Sequence, residues 1–251
     1  MDGVLQILPL RGMPEVRPGA DLAALILEAM QQASLTLQDQ DTLVIAQKIV
    51  SKAEGRLVKL SGVTPSTLAI QFAKEYGKDP RHVEVVLGEA RRIVRMDRGV
   101  LIVETKHGLI CANAGVDASN VEGDDVLCLL PVDPDASART LVEVIATKTG
   151  SRVGVIISDT FGRPWREGQT NVAIGVAGMS PLRDYIGQTD PYGYELRVTS
   201  LCVADELASA AELVMGKVDK VPIALVRGFS FEPGEGSARQ LVRDASRDLF
   251  R

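Results

Sequence analysis

Polar and apolar positions along this chain repeat with two different periods, and the periods divide it into strands and helices. Thr42–Ile49, Val153–Ile157 and Ile223–Val226 are short, β-rich apolar runs with the length of buried strands. Val4–Leu10 reads as an opening strand that ends in the turn-rich Arg11-Gly12-Met13-Pro14. From Asp21 to Gln32, Leu22, Leu25, Ile26 and Met30 recur at helical spacing and predict an amphipathic helix. Thr64–Tyr76 opens on Thr-Pro-Ser-Thr and stops before Gly77, which predicts a second helix; Asp79–Val94, beginning around Pro80, predicts a third. Val100–Thr105 and Leu109–Asn113 predict a hairpin turned at Lys106-His107-Gly108. Val126–Leu130 reads as a strand and Ala136–Thr149 as a helix, while Leu196–Val203 reads as a strand leading into a helix that reaches about Met215.

The segments Ser51–Arg56 and Ala114–Asp125 read as polar loops. A third loop, carrying Gly162, Pro164 and Gly168, leads into the apolar Asn171–Ala177. After Arg227-Gly228 comes the loop Phe231–Gly236, and Ser237 is placed to cap a final helix. Strands and helices mix without regular βα alternation, so the expected class is α+β. A Rossmann fold is the alternative, but no Gly-x-Gly-x-x-Gly follows the first strand and no Walker-A loop occurs. The sequence shows no internal repeat and no linker, and its length fits one large domain or two small ones.

Composition narrows the function. Of 251 residues, 45% are hydrophobic and 24% charged, enough apolar material for a large core. A net charge of −5 without a basic block argues against broad nucleic-acid binding, so an anionic substrate must be held by local lysines, arginines or metal. No apolar run approaches the ~18 residues of a membrane span, and Met1–Leu10 has no basic start of a secretory signal. Cys111, Cys128 and Cys202 are odd in number and far apart, which suggests reduced thiols in a cytoplasmic protein. With only His82 and His107 available, a metal site would be built from oxygen and would favour Mg2+ or Mn2+.

Four segments concentrate reactive side chains. Asn113–Glu122 holds two amides, two acids and a serine; Asp117 could bind a hard cation and Asn120 a nucleotide, or Asp117 and Ser119 could simply cap a turn. Ile156–Arg166 brings Asp159 and Thr160 to the end of a buried strand, with Arg163 and Arg166 suited to phosphates or carboxylates. The alternative is a strand end with a surface loop, anchored by Trp165. Gln47–Arg56 delivers Lys48, Lys52 and Arg56 into a Gly-containing loop that could clamp a polyphosphate, or be ordinary solvated loop. Gly228–Ser237 offers glycines before a helix start, yet Glu232 and Glu235 would repel phosphate and a structural turn fits equally. Together these segments place acids, amides and bases on loops after strands, as metal-assisted phosphoryl chemistry requires.

In order along the chain, Val50–Arg56, Asn113–Glu122 and Ser158–Arg163 resemble the coenzyme F420:L-glutamate ligase family, from Leu10-Arg-Gly-Met-Pro14 to Val226-Arg-Gly228. The resemblance implies a family-specific α+β fold, mixed sheets with flanking helices, in an intertwined homodimer with two subdomains. It implies GTP-dependent addition of L-glutamate to the lactyl-phosphate arm of the coenzyme precursor, followed by γ-linked extension. Implied cofactors are Mg2+ or Mn2+, two per subunit, and K+. By the same resemblance Asp117, Asp159 and Thr160 hold the metals. Gly12, Met13, Pro14, Glu15, Gln47, Lys48, Lys52 and Asn120 surround GTP, and Met215-Gly216-Lys217 completes the nucleotide site. Residue type adds Arg163 to Asp117 and Asp159 as a catalytic group. Some relatives carry a further C-terminal reductase-like domain, which this sequence lacks. A metal-dependent phosphohydrolase and a non-catalytic nucleotide- or coenzyme-binding protein remain as alternative readings.

Overall fold

The computed structural model describes residues 3–249; Met1, Asp2, Phe250 and Arg251 lie outside them. In chain order the elements of the first half are β1 (Gln6–Pro9), α1 (Leu22–Gln32), β2 (Thr42–Ala46), α2 (Gln47–Ala53), β3 (Leu57–Lys59), α3 (Thr67–Tyr76), α4 (Pro80–Glu89), β4 (Ala90–Asp97), β5 (Val100–Thr105) and β6 (Ile110–Ala112). There follow β7 (Val126–Cys128), α5 (Pro134–Thr149), β8 (Gly154–Arg163), β9 (Arg166–Ala177), β10 (Arg183–Asp184), β11 (Ser200–Leu201), α6 (Val203–Met215) and β12 (Ile223–Arg227). The class is α+β, as expected.

The central sheet has the order β1-β12-β2-β8-β9, and only the β2–β8 pair is parallel. Its inner strands are apolar on both faces because both faces are covered. Leu43, Ile45, Val155, Ile157, Ile223 and Leu225 turn toward α1, α2 and α5. The alternate residues Val44, Ile156, Ala224 and Val226 turn toward α6. Each fully buried leucine or isoleucine contributes about 1.5–3 kcal/mol, so the sheet and its flanking helices form the main apolar core. A third apolar cluster joins α3 and α4 to β5 and β7 through Phe72, Val83, Val86, Leu101, Val103 and Leu127.

Helix ends follow the sequence signals closely. Asp21, Ser66, Asp79 and Asp133 each accept a backbone N–H from the first turn of the helix they precede, and Gly77 and Gly150 close two helices in the left-handed conformation. At Gly175 a Cβ would lie 2.5 Å from the Pro134 carbonyl oxygen, so only glycine lets the start of α5 approach β9 so closely.

The edge strand β9 has its outward backbone groups taken by side chains. Ala173 N donates to Asp205, Val176 N to Asp135, and the Asn171 carbonyl accepts from Ser209 Oγ. Asp135 also accepts from Ala238 N at 2.8 Å and Ser237 Oγ at 2.5 Å, clasping the C-terminal segment onto α5 and β9. Buried Asp41 accepts from Arg227 Nε at 2.9 Å and Nη2 at 2.6 Å, joining the ends of two sheet strands.

Several segments differ from the sequence-based expectation. Gln47–Ala53, expected as strand to Ile49 and then loop, is helical. The helix expected to run to Val94 stops at Glu89, and Ala90–Asp97 pairs with β5. The loop expected around Gly162–Gly168 is the tight end of the long β8–β9 hairpin. The strand expected at Leu196–Val203 is reduced to Ser200–Leu201, and the final helix to two short 3-10 turns, the first capped by Ser237 as expected.

Candidate active site

Parallel pairing of β2 with β8 sets the C-terminal end of β2 beside the middle of β8, with Ala46 opposite Ser158. The start of α2 therefore lies beside the β8 residues just past Ser158, at the end of β2, where open sheets usually place ligand-binding groups. After β2 the chain turns directly into α2, whose first residues are Gln47 and Lys48; beyond Ser158 come Asp159 and Thr160.

Within α2 the i, i+4 spacing puts Gln47 with Ser51 and Lys48 with Lys52. Ser51 Oγ donates to Gln47 Oε1 at 2.8 Å, and both side chains are buried. Lys48 Nζ reaches Asp117 Oδ2 at 2.6 Å, Ser119 Oγ at 2.6 Å and the Ser119 carbonyl at 2.7 Å. Lys52 Nζ is paired with Glu15, drawing the segment after β1 onto α2. Arg56, by contrast, is held by Glu89 at 2.7 Å and by the Leu130 carbonyl, so it serves the packing of α4.

Asp117 is delivered by an unusual turn. Asn113, Ala114 and Gly115 all have positive φ, of 52°, 55° and 70°. Such backbone is costly for asparagine and alanine and persists only where neighbours enforce it. Asp117 is then pinned to β7 by reciprocal backbone hydrogen bonds with Cys128, at 3.0 and 2.9 Å. Its carboxylate also accepts from Ser119 N and Ser119 Oγ, both at 2.8 Å. Burial would raise the Asp117 pKa, but the hydrogen bonds from Lys48 and Ser119 outweigh it and hold the carboxyl below its ordinary value.

Asp159 behaves oppositely. Burial pushes its pKa up to about 6, the Thr160 N–H and Lys48 pull it down, Asp117 pushes it up again, and Lys217 draws it down. The Asp117 carboxylate and two ammonium groups thus act on Asp159 from different parts of the chain. Beside it, Lys217 Nζ lies 2.5 Å from Thr160 Oγ1 and 2.7 Å from Glu212 Oε1.

This donor set suits a hard divalent cation. Among the described residues no trio of His, Cys, Asp or Glu could hold a metal unaided. An ion here would take two carboxylates and a hydroxyl and complete its shell with water or phosphate, as Mg2+ commonly does. Ser158 Oγ, on the same face of β8 as Thr160, is buried with no hydrogen-bond partner among the described residues and is a spare oxygen beside the threonine. The raised Asp159 pKa is mainly the cost of burying its carboxylate, a cost that a bound cation would offset.

Of the remaining sequence candidates, Met13 packs on the main core, Gly12 and Pro14 are exposed beside Glu15, and Asn120 is exposed just beyond Ser119 with a φ of 55°. Met215 is buried at the end of α6, and Gly216 and Lys217 follow it. Arg163 is turned onto its own hairpin, donating to the Glu167 and Gly168 carbonyls at 2.8 and 3.3 Å, and is not among the groups gathered around Asp159. Sequence reasoning missed Asn171 and Glu212, which contact Thr160 and Lys217; only the β8–β9 pairing, which sets Thr160 opposite Asn171, could have pointed to the first.

A family model described as F420-0:Gamma-glutamyl ligase matches residues 12–228. The chain belongs to this family. Among curated relatives, the Coenzyme F420:L-glutamate ligase of Methanothermobacter thermautotrophicus is 45% identical over 250 residues, covering 98% of this chain and 99% of the relative. The protein of the same name from Methanopyrus kandleri is 47% identical over 252 residues, covering 98% of each. That of Methanocaldococcus jannaschii is 44% identical over 220 residues, covering 87% of this chain and 88% of its own length. The matched span of the family model contains every side chain named above around Asp159. No helix among the described residues is long and apolar enough to cross a membrane.

Proposed function

We propose that the protein is a coenzyme F420:L-glutamate ligase, forming an amide between the carboxylate of the coenzyme precursor F420-0 and the amine of L-glutamate at the expense of GTP. Near full-length similarity to relatives bearing that name supports the reaction. The observation that supports the site is that Asp117, from the loop before β7, and Asp159, from β8, influence each other's charge, with Lys48 bound to the first and Lys217 beside the second at Thr160.

Amide formation from a carboxylate in water is uphill, so the carboxylate must first be activated. In this reading a carboxylate oxygen of the precursor attacks the γ-phosphorus of GTP, the bond to the β-phosphate oxygen breaks, and GDP leaves. The neutral amine of glutamate then attacks the acyl carbon, the bond to the phosphate oxygen breaks, and phosphate departs as the amine loses a proton. Repetition at the γ-carboxylate extends the tail.

Bringing two anions together is the main obstacle, and the residues are arranged against it. Lys48 and Lys52, one turn apart on α2, supply ammonium charge for the phosphates, with Gly12–Glu15, Gln47, Asn120 and Met215–Lys217 forming the rest of the nucleotide site. Asp117, Asp159 and Thr160 hold Mg2+ or Mn2+, which when bound screens the phosphate oxygens and stabilises charge on them. Potassium and a homodimeric assembly, with the two-subdomain organisation the resemblance implies, belong to the same reading, as does a cytoplasmic location.

Incubation with F420-0, GTP, Mg2+ and L-glutamate tests this. Mass spectrometry should show the precursor gaining one glutamyl residue, with stoichiometric GDP and phosphate. Nucleotide cleavage at full rate without glutamate would point to a phosphohydrolase, and binding without any turnover to a non-catalytic protein; either result overturns the proposal.

A further inference from the structure

Thr160 belongs to a closed ring of four side chains whose polarity can be worked out by elimination. Lys217 Nζ donates both to Thr160 Oγ1, at 2.5 Å, and to Glu212 Oε1, at 2.7 Å. Asn171 lies 2.9 Å from the other Glu212 oxygen and 2.7 Å from Thr160 Oγ1. A carboxylate beside an ammonium group can only accept, so the Asn171 atom facing Glu212 must be the amide nitrogen. That fixes the opposite end of the amide as its oxygen. Asn171 Oδ1 therefore faces Thr160 and can only accept, and the Thr160 hydroxyl must give its proton to it.

The consequence falls on the hydroxyl. With its proton committed to Asn171, Thr160 Oγ1 presents only lone pairs to everything else; one meets Lys217 and the other is free. A freely rotating hydroxyl would point its hydrogen at a cation part of the time. A hydroxyl locked in this way offers an oxygen ligand all of the time. Asn171 is itself buried in β9 and cannot be reoriented by solvent. Glu212, on α6, is the group that decides which way its amide stands.

We propose that Asn171 and Glu212 are positioning residues that fix the Thr160 hydroxyl as a lone-pair donor for the divalent cation. Neither touches the cation; each acts through Thr160. The inference rests on the cation reading of Asp117, Asp159 and Thr160 given above, and it adds that metal affinity depends on a carboxylate two hydrogen bonds away from the threonine oxygen.

The isosteric Glu212→Gln is the informative variant. A glutamine there has one oxygen and one NH2, so it cannot accept from both Lys217 and Asn171. If its NH2 faces Asn171, the Asn171 amide must turn over and donate to Thr160. The threonine proton then swings toward the cation position. Outer-shell substitutions of this kind weaken metal binding by about 10- to 100-fold.

The test is a Mn2+ titration of the full chain, with and without GDP, followed by water proton relaxation, alongside thermal melting. Thr160→Ala, Glu212→Gln and Asn171→Ala are compared with the unmodified protein. The expected result is weaker Mn2+ binding in all three, by about tenfold or more in Glu212→Gln, with the melting temperature of Glu212→Gln little changed. Should Asn171→Ala fail to fold, Glu212→Gln still decides the matter. Mn2+ binding by Glu212→Gln within twofold of the unmodified protein, with Thr160→Ala impaired, overturns the inference and leaves the cation site standing. Unimpaired Mn2+ binding by Thr160→Ala removes Thr160 from the cation site, and the inference with it.

Discussion

Replacing Asp135 with alanine should be among the most damaging single changes outside the candidate site, and the damage can be worked out group by group. Asp135 Oδ1 receives the buried N–H groups of Val176, at 2.9 Å, and Ala238, at 2.8 Å, and Oδ2 receives the Ser237 hydroxyl. Alanine leaves two buried amides without a partner, at about 1–3 kcal/mol each, so the loss should be roughly 2–6 kcal/mol. Asparagine keeps an oxygen where both amides point and offers an NH2 to Ser237 Oγ, which can accept it. Its cost should be about 1 kcal/mol or less, mostly the lost negative charge in the first turn of α5. Urea unfolding reads the difference directly: for Asp135→Ala the midpoint should fall by on the order of 1 M at unchanged slope. Hydrogen exchange at Val176 and Ala238 should accelerate in the alanine variant alone. Equal loss in both variants, or an alanine variant within 1 kcal/mol of the unmodified protein, would refute the reasoning.

Three other perturbations follow from the described contacts. Asp159 has a folded-state pKa raised to about 6 from 3.8, so its ionisation opposes folding above pH 6, and the penalty is relieved as pH falls toward 3.8. Asp159→Asn should therefore raise the metal-free melting temperature at pH 8, with a gain that fades by pH 4–5, while abolishing turnover; a gain that persists at low pH would contradict this assignment. Asp41→Ala strands the Arg227 guanidinium in a mostly buried position and should cost about 3–5 kcal/mol in denaturant unfolding. Lys48→Met removes the ammonium that bridges Asp117 and Ser119, and steady-state kinetics should show kcat/KM for GTP lower by on the order of 100-fold; an effect below fivefold would remove Lys48 from the phosphate site.

Much of the framework was legible in the residues. Strands β2, β8 and β12 carry apolar runs buried on both faces, and α3 and α5 begin and end at capping residues that the sequence displays. Where the sequence misled, a local signal was outweighed by distant contacts. α2 begins at Ala46, which makes no side-chain cap, and its Ile49-Val50 pair has strand propensity, so neither its start nor its type is marked. The arginines of β4 mimic a solvated helix face until Glu104, far along the chain, is seen to pair with Arg91 and Arg92. In the β8–β9 hairpin, the breakers Gly162, Pro164 and Gly168 mark a turn, and the sequence does not show how short it is. The site was legible as residue types on loops. Its assembly was not, because the parallel pairing of β2 with β8 and the strained turn before Asp117 arise only in three dimensions.

The side chains along the outer margin of β9 also bear on how copies of this chain can meet. A strand approaching that margin from another molecule would find the Ala173 and Val176 amides and the Asn171 carbonyl already engaged by Asp205, Asp135 and Ser209. Extending the sheet there would mean breaking all three contacts and loosening the C-terminal clasp along with them. The molecule is thus guarded against open-ended stacking along this part of β9.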